Sequence, residues 1–560
     1  MKVEVKIKKI QLNYDTPFII KRSVYNESIT VKESFTFKIK TYHDLLFTYL
    51  KILLEKNSFF TCTIGYTEIS FKDIKNHTCV YSIYDPIYET DFTSYPFEER
   101  KSVGEMVLEF SITEEEFEID HSHNPSILDK IFHGIFNVEK NTRISSILAK
   151  LITFGSANTS SYIYSSKGFF YLVNYYIKEE KKFSYSTVLQ FLSSLKREDE
   201  SSVSSLNQTN YSIAEETNLN YKLFDRSFYV KYREYLHYAI CSYGRSILTN
   251  NLVRRIIKEP TANKSCLELL DEDINEFKLI NLEGKDYNPI FVAFECKDAF
   301  VISFRGTFSV RDVSCDLKFD YKEFYNGFAH EGFGELAEQF IKNYYSKVKI
   351  FIENKKLIIT GHSLGGSVAQ LVGYILLKNK MIDEDKLEVV AFSPAPTLSK
   401  NIVQDDMFGS FITFTVSNDS VPFLSYGSLC DLRYLTTSLG IKFSIFKSNP
   451  EEINEYILKV REFLLKNDLY PKLYIPGKIF QFKEFYEENK GKLRDLFSLF
   501  REDNAEKRIF LCKEFDYTFC NEFILDINAP LHHMPNYLMN VFNSSIKLND
   551  HIEEKDSENS

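Results

Sequence analysis

The sequence predicts an α/β fold preceded by an N-terminal antiparallel β-sandwich, and three observations carry that reading. Runs that alternate apolar and polar residues recur through the first 115 positions. From Tyr229 to about residue 545, strand-like and helix-like runs alternate instead, which is the α/β signature. Within that second region the pentapeptide Gly361 to Gly365 follows an apolar strand and opens an apolar helix.

The N-terminal runs are Val3–Ile10, Ile29–Lys40, Phe59–Phe71, Thr78–Tyr84 and Gly104–Ile112. A period of two puts alternate side chains on one face, and short strands at this spacing suit a sandwich over residues 1–115. Residues 116–225 are mixed, with helix-like stretches near 126–153 and 169–196. The polar segment Arg197–Asn220 has few large apolar groups to bury and reads as a linker. The α/β domain is expected over 226–548, and the charged stretch 549–560 reads as a disordered tail.

A chain of 560 residues exceeds one ordinary core. Its formal net charge of −10, with both signs mixed throughout, argues against nucleic acid as a partner. Nine widely spaced cysteines without a C-x-x-C pair read as reduced thiols, and no Cys/His spacing suggests a metal. The N-terminus alternates like a strand and lacks a signal-peptide core, and no run of eighteen apolar residues occurs. These features point to a cytoplasmic protein, with membrane contact limited to the periphery.

The pentapeptide is a nucleophile-elbow candidate. A serine on a sharp strand-to-helix turn needs small neighbours, which Gly361, Gly365 and Gly366 supply. A serine hydroxyl is a weak nucleophile and needs a base, held in turn by a carboxylate. In α/β-hydrolases these follow the serine as acid, then histidine. Asp419 stands just past the strand Phe411–Val416, at the sheet edge where such sites lie; an Asx turn before Pro422 would also want an Asp there. Beyond Asp419 only His532, His533 and His551 remain, and the adjacent pair His532 and His533 contains the candidate base. His362, beside the serine, reads as a packing residue. The amide of Leu364 is one oxyanion donor by position, and the second is expected after the strand Ala299–Phe304, in Arg305–Ser309.

Four motifs in order, Phe304–Thr307, His330–Phe333, Gly361–Gly366 and Asp419–Pro422, resemble the class 3 (fungal-type) lipase family. The resemblance implies an α/β-hydrolase fold with Ser363 as nucleophile, Asp419 as orienting acid, Thr307 and Leu364 as the oxyanion hole, and His330 in a structural role. Arg305–Leu317, Ala391–Pro396 and Leu473–Ile479 are further similar to the sn-1-specific diacylglycerol lipase branch. Its L-H-E-H-L-P-Y-V segment resembles Leu531–Tyr537 and selects His533 over His532. The four membrane helices of that branch are not seen in this chain. At the front, Ile64–Ile74 and Gly104–Ile112 are similar to closing strands of C2 domains, although Glu55–Cys62 lacks the clustered aspartates that calcium requires.

The resemblance implies hydrolysis of a glycerolipid acyl ester, diacylglycerol first, at a membrane or lipid-droplet surface and without metal or organic cofactor. A triacylglycerol lipase, a phospholipase A1-type hydrolase and an inactive lipid-binding scaffold stay open as alternatives. Phe308–Tyr325 lies where the family keeps its lid. Glu451–Leu499 is charged, amphipathic and helix-like, and reads as an insertion between Asp419 and His533.

Overall fold

The computed structural model describes residues 1–113, 221–243, 278–306, 320–486, 508–521 and 532–558, apart from 14–16, 25–26, 57–61, 86–100, 282–287, 297–298, 353–354, 417–418 and 443–449. The helices and linker expected between 116 and 220 lie outside the described residues. Two compact units emerge, and their boundary differs from the expected one. The N-terminal sheet is grouped with Asp320–Glu323 and Tyr426–Pro471, while Phe324–Ser425 and Lys472–Ser560 belong to the other unit. The expected α/β domain of 226–548 is therefore interrupted at Tyr426 and resumes at Lys472.

The first unit contains β1 (Lys2–Leu12), β2 (Ile19–Val24), β3 (Glu27–Val31), β4 (Ser34–Lys38), β5 (Tyr49–Lys56), β6 (Cys62–Ser70), β7 (Thr78–Tyr84) and β8 (Ser102–Thr113). They form an antiparallel sheet in the order β3-β2-β5-β6-β7-β8-β1-β4. Its two four-stranded halves join at the register pair Tyr66↔Tyr84. Alternate residues from both halves enter one core: Val3 and Val5, Phe35 and Phe37, Leu50, Ile52 and Leu54, and Met106, Leu108 and Phe110. Strands β2 and β5 were not among the expected runs. In β5 the half-buried Leu53 and buried Glu55 blur the period that Leu50, Ile52 and Leu54 keep.

Helix α1 (Tyr42–Phe47) starts at a capping box, in which Thr41 Oγ1 accepts from the Asp44 amide and Asp44 Oδ2 from the Thr41 amide, both at 3.1 Å. Its His43 and Phe47 rings each lie 4.6 Å from Tyr426. The Lys72 ammonium donates to the Leu469 carbonyl at 3.1 Å. These contacts explain why the later segment joins the N-terminal sheet.

The second unit is built on a mixed sheet. Its strands are β9 (Leu279–Asn281), β10 (Phe291–Glu295), β11 (Ala299–Phe304), β14 (Lys356–His362), β15 (Leu387–Phe392), β17 (Phe411–Val416), β19 (Lys478–Tyr486) and β20 (Arg508–Phe515), in the order β20-β19-β17-β15-β14-β11-β10-β9. The numbers passed over belong to β12 (Tyr321–Phe324) and to the short strands β13 (Gly327–His330), β16 (Leu398–Ser399) and β18 (Leu473–Tyr474). From β11 to β19 the strands pair in parallel, and antiparallel strands close both edges. Such strands are buried on both faces, so their sequences read as near-continuous apolar runs.

Helices cover both faces of this sheet. Phe300, Ile302, Phe304, Leu357, Ile359 and Val389 point to one side, against α3 (Glu331–Ile352) and α4 (Leu364–Lys378). Val301, Ile358, Val390, Phe414, Phe480 and Phe482 point to the other, against α2 (Arg226–Cys241) and α7 (Pro535–Glu558). This is the three-layer α/β architecture that the alternating pattern predicts. Between Ser425 and Lys472 the chain forms α5 (Tyr426–Lys442) and α6 (Pro450–Asn467).

Two local expectations need correction. Among the described residues of the helix-like stretch Glu451–Leu499, the helix is the part inside Pro450–Asn467 and Lys478–Tyr486 is a strand; 487–507 lies outside the described residues. The expected disordered tail is helical as far as Glu558. Leu538, Val541, Phe542 and Ile546 anchor α7 against the sheet, and helix propagation adds a bond per residue beyond that anchor. Arg226 Nε also donates to Asp550 at 2.5 Å.

Candidate active site

The carboxyl ends of β14 and β17 supply two of the site residues. Strand β14 ends at His362, and Ser363 follows as the N-cap of α4 with φ 57° and ψ −131°. A non-glycine residue in this region is strained, and such strain persists only where the surroundings over-determine it. Here the Ser363 amide donates to the Phe392 carbonyl at 2.9 Å, and the Ser367 amide donates back to the Ser363 carbonyl at 3.1 Å. The flanking glycines allow the turn to pack. A Cβ on Gly361 would sit 2.4 Å from the Gly365 backbone, and one on Gly365 would sit 2.2 Å from the Phe304 carbonyl oxygen.

Asp419 follows β17 and is fully buried. Its two oxygens lie 3.1 and 3.0 Å from His533 Nδ1. A carboxylate only accepts, so Nδ1 carries the proton and Nε2 is left as an acceptor. Nε2 stands 2.8 Å from Ser363 Oγ, which donates to it. The Asx turn that the sequence also allows is present as well, since the Val421 amide donates to Asp419 Oδ1 at 3.0 Å. One side chain thus closes the loop and holds the histidine. Burial pushes the Asp419 carboxyl up, but His533, then the Ser393 side chain and the Val421 amide, hold it below the usual carboxylate value.

Of the adjacent histidines, His533 reaches the serine, while His532 is buried and its ring lies 4.4 Å from Tyr537. His330 is buried away from this chain of contacts, its ring stacked on Phe333 at 3.8 Å. Leu364 is the first residue of α4, where an amide has no carbonyl one turn earlier within the helix. Thr307 lies outside the described residues, as does 308–319 of the expected lid segment. The end of that segment, Tyr321–Phe324, is strand β12.

His362 does more than fill space. Its Nε2 is 2.7 Å from the His533 carbonyl oxygen, and its Nδ1 is 3.0 Å from Tyr243 Oη. Burial, then the neighbouring His533, pushes the His362 imidazole down to about 3. Sequence reading missed Tyr243, and no local pattern could have signalled a residue 119 positions from its partner.

Residues 301–428 match the class 3 lipase family. The lipases of Rhizopus niveus and Rhizopus oryzae are each 33% identical over 101 residues, 17% of this chain and 26% of theirs. The chain thus spans about a quarter of the length of these curated relatives. Among solved structures, the lipase from Rhizopus microsporus var. chinensis is 16% identical, with 55% of this chain and 86% of that one covered and a TM-score of 0.31. A native Rhizomucor miehei lipase propeptide complex is 14% identical, with 57% and 82% covered and a TM-score of 0.33. The class 3 lipase match includes Ser363 and Asp419 and stops at 428, close to where the chain leaves the α/β unit at Tyr426. His533 falls beyond it, and its contacts with Ser363 and Asp419 join it to the site.

Proposed function

We propose that this protein is a serine hydrolase of glycerolipid acyl esters, with Ser363 as nucleophile, His533 as general base and acid, and Asp419 as the orienting carboxylate. The observation that carries the reading is the run of contacts from Ser363 Oγ through the His533 ring to Asp419, at 2.8 and 3.0 Å. Three segments far apart in sequence converge on it.

In this reaction Ser363 attacks the ester carbonyl as His533 Nε2 takes its proton. Charge develops on the carbonyl oxygen, and the amides of Leu364 and Thr307 are the proposed donors to it; one such donor is worth about 3–4 kcal/mol of transition-state stabilisation. The imidazolium returns the proton to the departing glycerol oxygen, leaving an acyl-enzyme. Water deprotonated by the same histidine then releases the fatty acid. No step needs a metal or organic cofactor.

Diacylglycerol is the proposed substrate, supported by the likeness of Arg305–Leu317, Ala391–Pro396 and Leu473–Ile479 to the diacylglycerol lipase branch. The water-insolubility of such a substrate supports a membrane or lipid-droplet surface as the proposed place of reaction, with approach from the cytoplasm part of the same proposal. The N-terminal sheet, similar to a C2 domain in β6 and β8, is the proposed contact with that surface.

The test uses the full chain and its Ser363→Ala variant. A fluorophosphonate should label the wild type at Ser363 and leave the variant unlabelled. Mass analysis of products from diacylglycerol, triacylglycerol and phosphatidylcholine should show fatty acid released fastest from diacylglycerol. Absence of labelling would overturn the hydrolase reading, and faster release from another lipid would overturn only the substrate.

A further inference from the structure

The residue before the nucleophile and Tyr243, two positions past the end of α2, form a hydrogen-bonded chain that ends on the backbone of the candidate base. His362 Nε2 lies 2.7 Å from the carbonyl oxygen of His533. A carbonyl only accepts, so Nε2 carries the proton. The other ring nitrogen, Nδ1, is then an acceptor in the neutral imidazole, and Tyr243 Oη at 3.0 Å donates to it. His362 and Tyr243 are 3% and 2% exposed, so water does not compete for either bond.

The chain reaches a third part of the site. A Cβ on Gly306 would sit 1.9 Å from Tyr243 Oη and 2.3 Å from the His362 carbonyl oxygen. Tyr243 therefore packs directly against the backbone of Gly306, within the expected oxyanion segment Arg305–Ser309. Charge matters too: the His362 and His533 rings lie 4.9 Å apart, so a neutral His362 avoids a second cation beside the imidazolium that forms during turnover.

We propose that His362 and Tyr243 are positioning residues that fix the His533 main chain, and with it the imidazole, between Ser363 and Asp419. The inference rests on the proposed hydrolase reaction. The pair is hydrogen-bonded to the His533 main chain. It acts by keeping the base within reach of the nucleophile, where a displacement of about 1 Å can cost on the order of 100-fold in rate.

The experiment compares wild type with His362→Phe, His362→Gln and Tyr243→Phe on a short-chain p-nitrophenyl ester, with thermal unfolding measured in parallel. His362→Phe removes the donor and should lower kcat by about 10- to 100-fold with KM within about twofold. In His362→Gln the amide nitrogen stands near the place of Nε2 and can still donate to the His533 carbonyl, so kcat should recover most of that loss. Tyr243→Phe deletes one hydroxyl and should fall between the two, even if His362→Phe folds poorly. Equal kcat in all four proteins, equal losses in His362→Phe and His362→Gln, or a loss that simply follows the unfolding temperature would each overturn the positioning role. An inactive, unlabelled wild type would instead overturn the hydrolase reading on which the role depends.

Discussion

Replacing Asp419 with Asn tests the site with very little change of shape. The asparagine oxygen can keep the bond from the Val421 amide, so the Asx turn survives. Its NH₂ group then faces His533 Nδ1, 3.0–3.1 Å away, where the carboxylate had accepted a hydrogen bond. Two donors cannot share that contact, so the imidazole moves its proton to Nε2, the nitrogen 2.8 Å from Ser363 Oγ. It then has no lone pair with which to accept the serine proton. Loss of the correct tautomer costs about 10⁴-fold in kcat in the well-studied triad, which is about 5.4 kcal/mol of barrier at 1.36 kcal/mol per tenfold. Steady-state hydrolysis of a p-nitrophenyl ester reads this directly, with fluorophosphonate labelling rate as a second measure. A kcat within tenfold of wild type, in a preparation where Ser363→Ala is inactive, would refute the assignment of Asp419.

Three further outcomes follow from other parts of the structure. His362 has a folded value of about 3 against 6.5 unfolded, so the unfolded chain binds the extra proton between these values and stability falls as pH drops through that window. The loss approaches about 5 kcal/mol at the acid end, and urea unfolding of His362→Gln should show a shallower slope between pH 6.5 and pH 4; an unchanged slope would count against it. Gly365→Ala places a Cβ 2.2 Å from the Phe304 carbonyl oxygen and should cost about 3 kcal/mol, read by denaturant midpoint; an unchanged midpoint would refute the close packing of the turn. Glu388, near the start of β15, bonds to Lys231 at 2.8 Å, Lys356 at 2.7 Å and Tyr235 at 3.1 Å; Glu388→Gln should lose about 1–3 kcal/mol of stability, since both lysines are partly exposed, while kcat stays within twofold.

Much of the site was legible because its chemistry leaves local marks. Ser363 announces itself through glycines that only a tight strand-to-helix turn requires, and Asp419 through its place just past an apolar strand whose ends, Phe411 and Val416, match the structure. The strand Ala299–Phe304 is likewise where its apolar run puts it. By contrast, β5 went unread because Leu53 breaks a clean alternation, and the helical tail because its charges conceal that Leu538 to Ile546 hold it down.

Residue order and type were enough to point to an α/β fold, a strand-to-helix turn at Ser363 and a carboxylate, Asp419, just past a later strand, because period and turn chemistry act over a few residues. Residue order also limited the base to His532 or His533, and resemblance chose the second. Tertiary structure decided the rest. It brought His533 to Ser363 across 170 positions, placed Tyr243 and His362 behind it, and assigned Tyr426–Pro471 to the N-terminal unit. These are contacts between distant segments, set by how buried surfaces and hydrogen-bonding groups meet after folding, and no spacing along the chain encodes them.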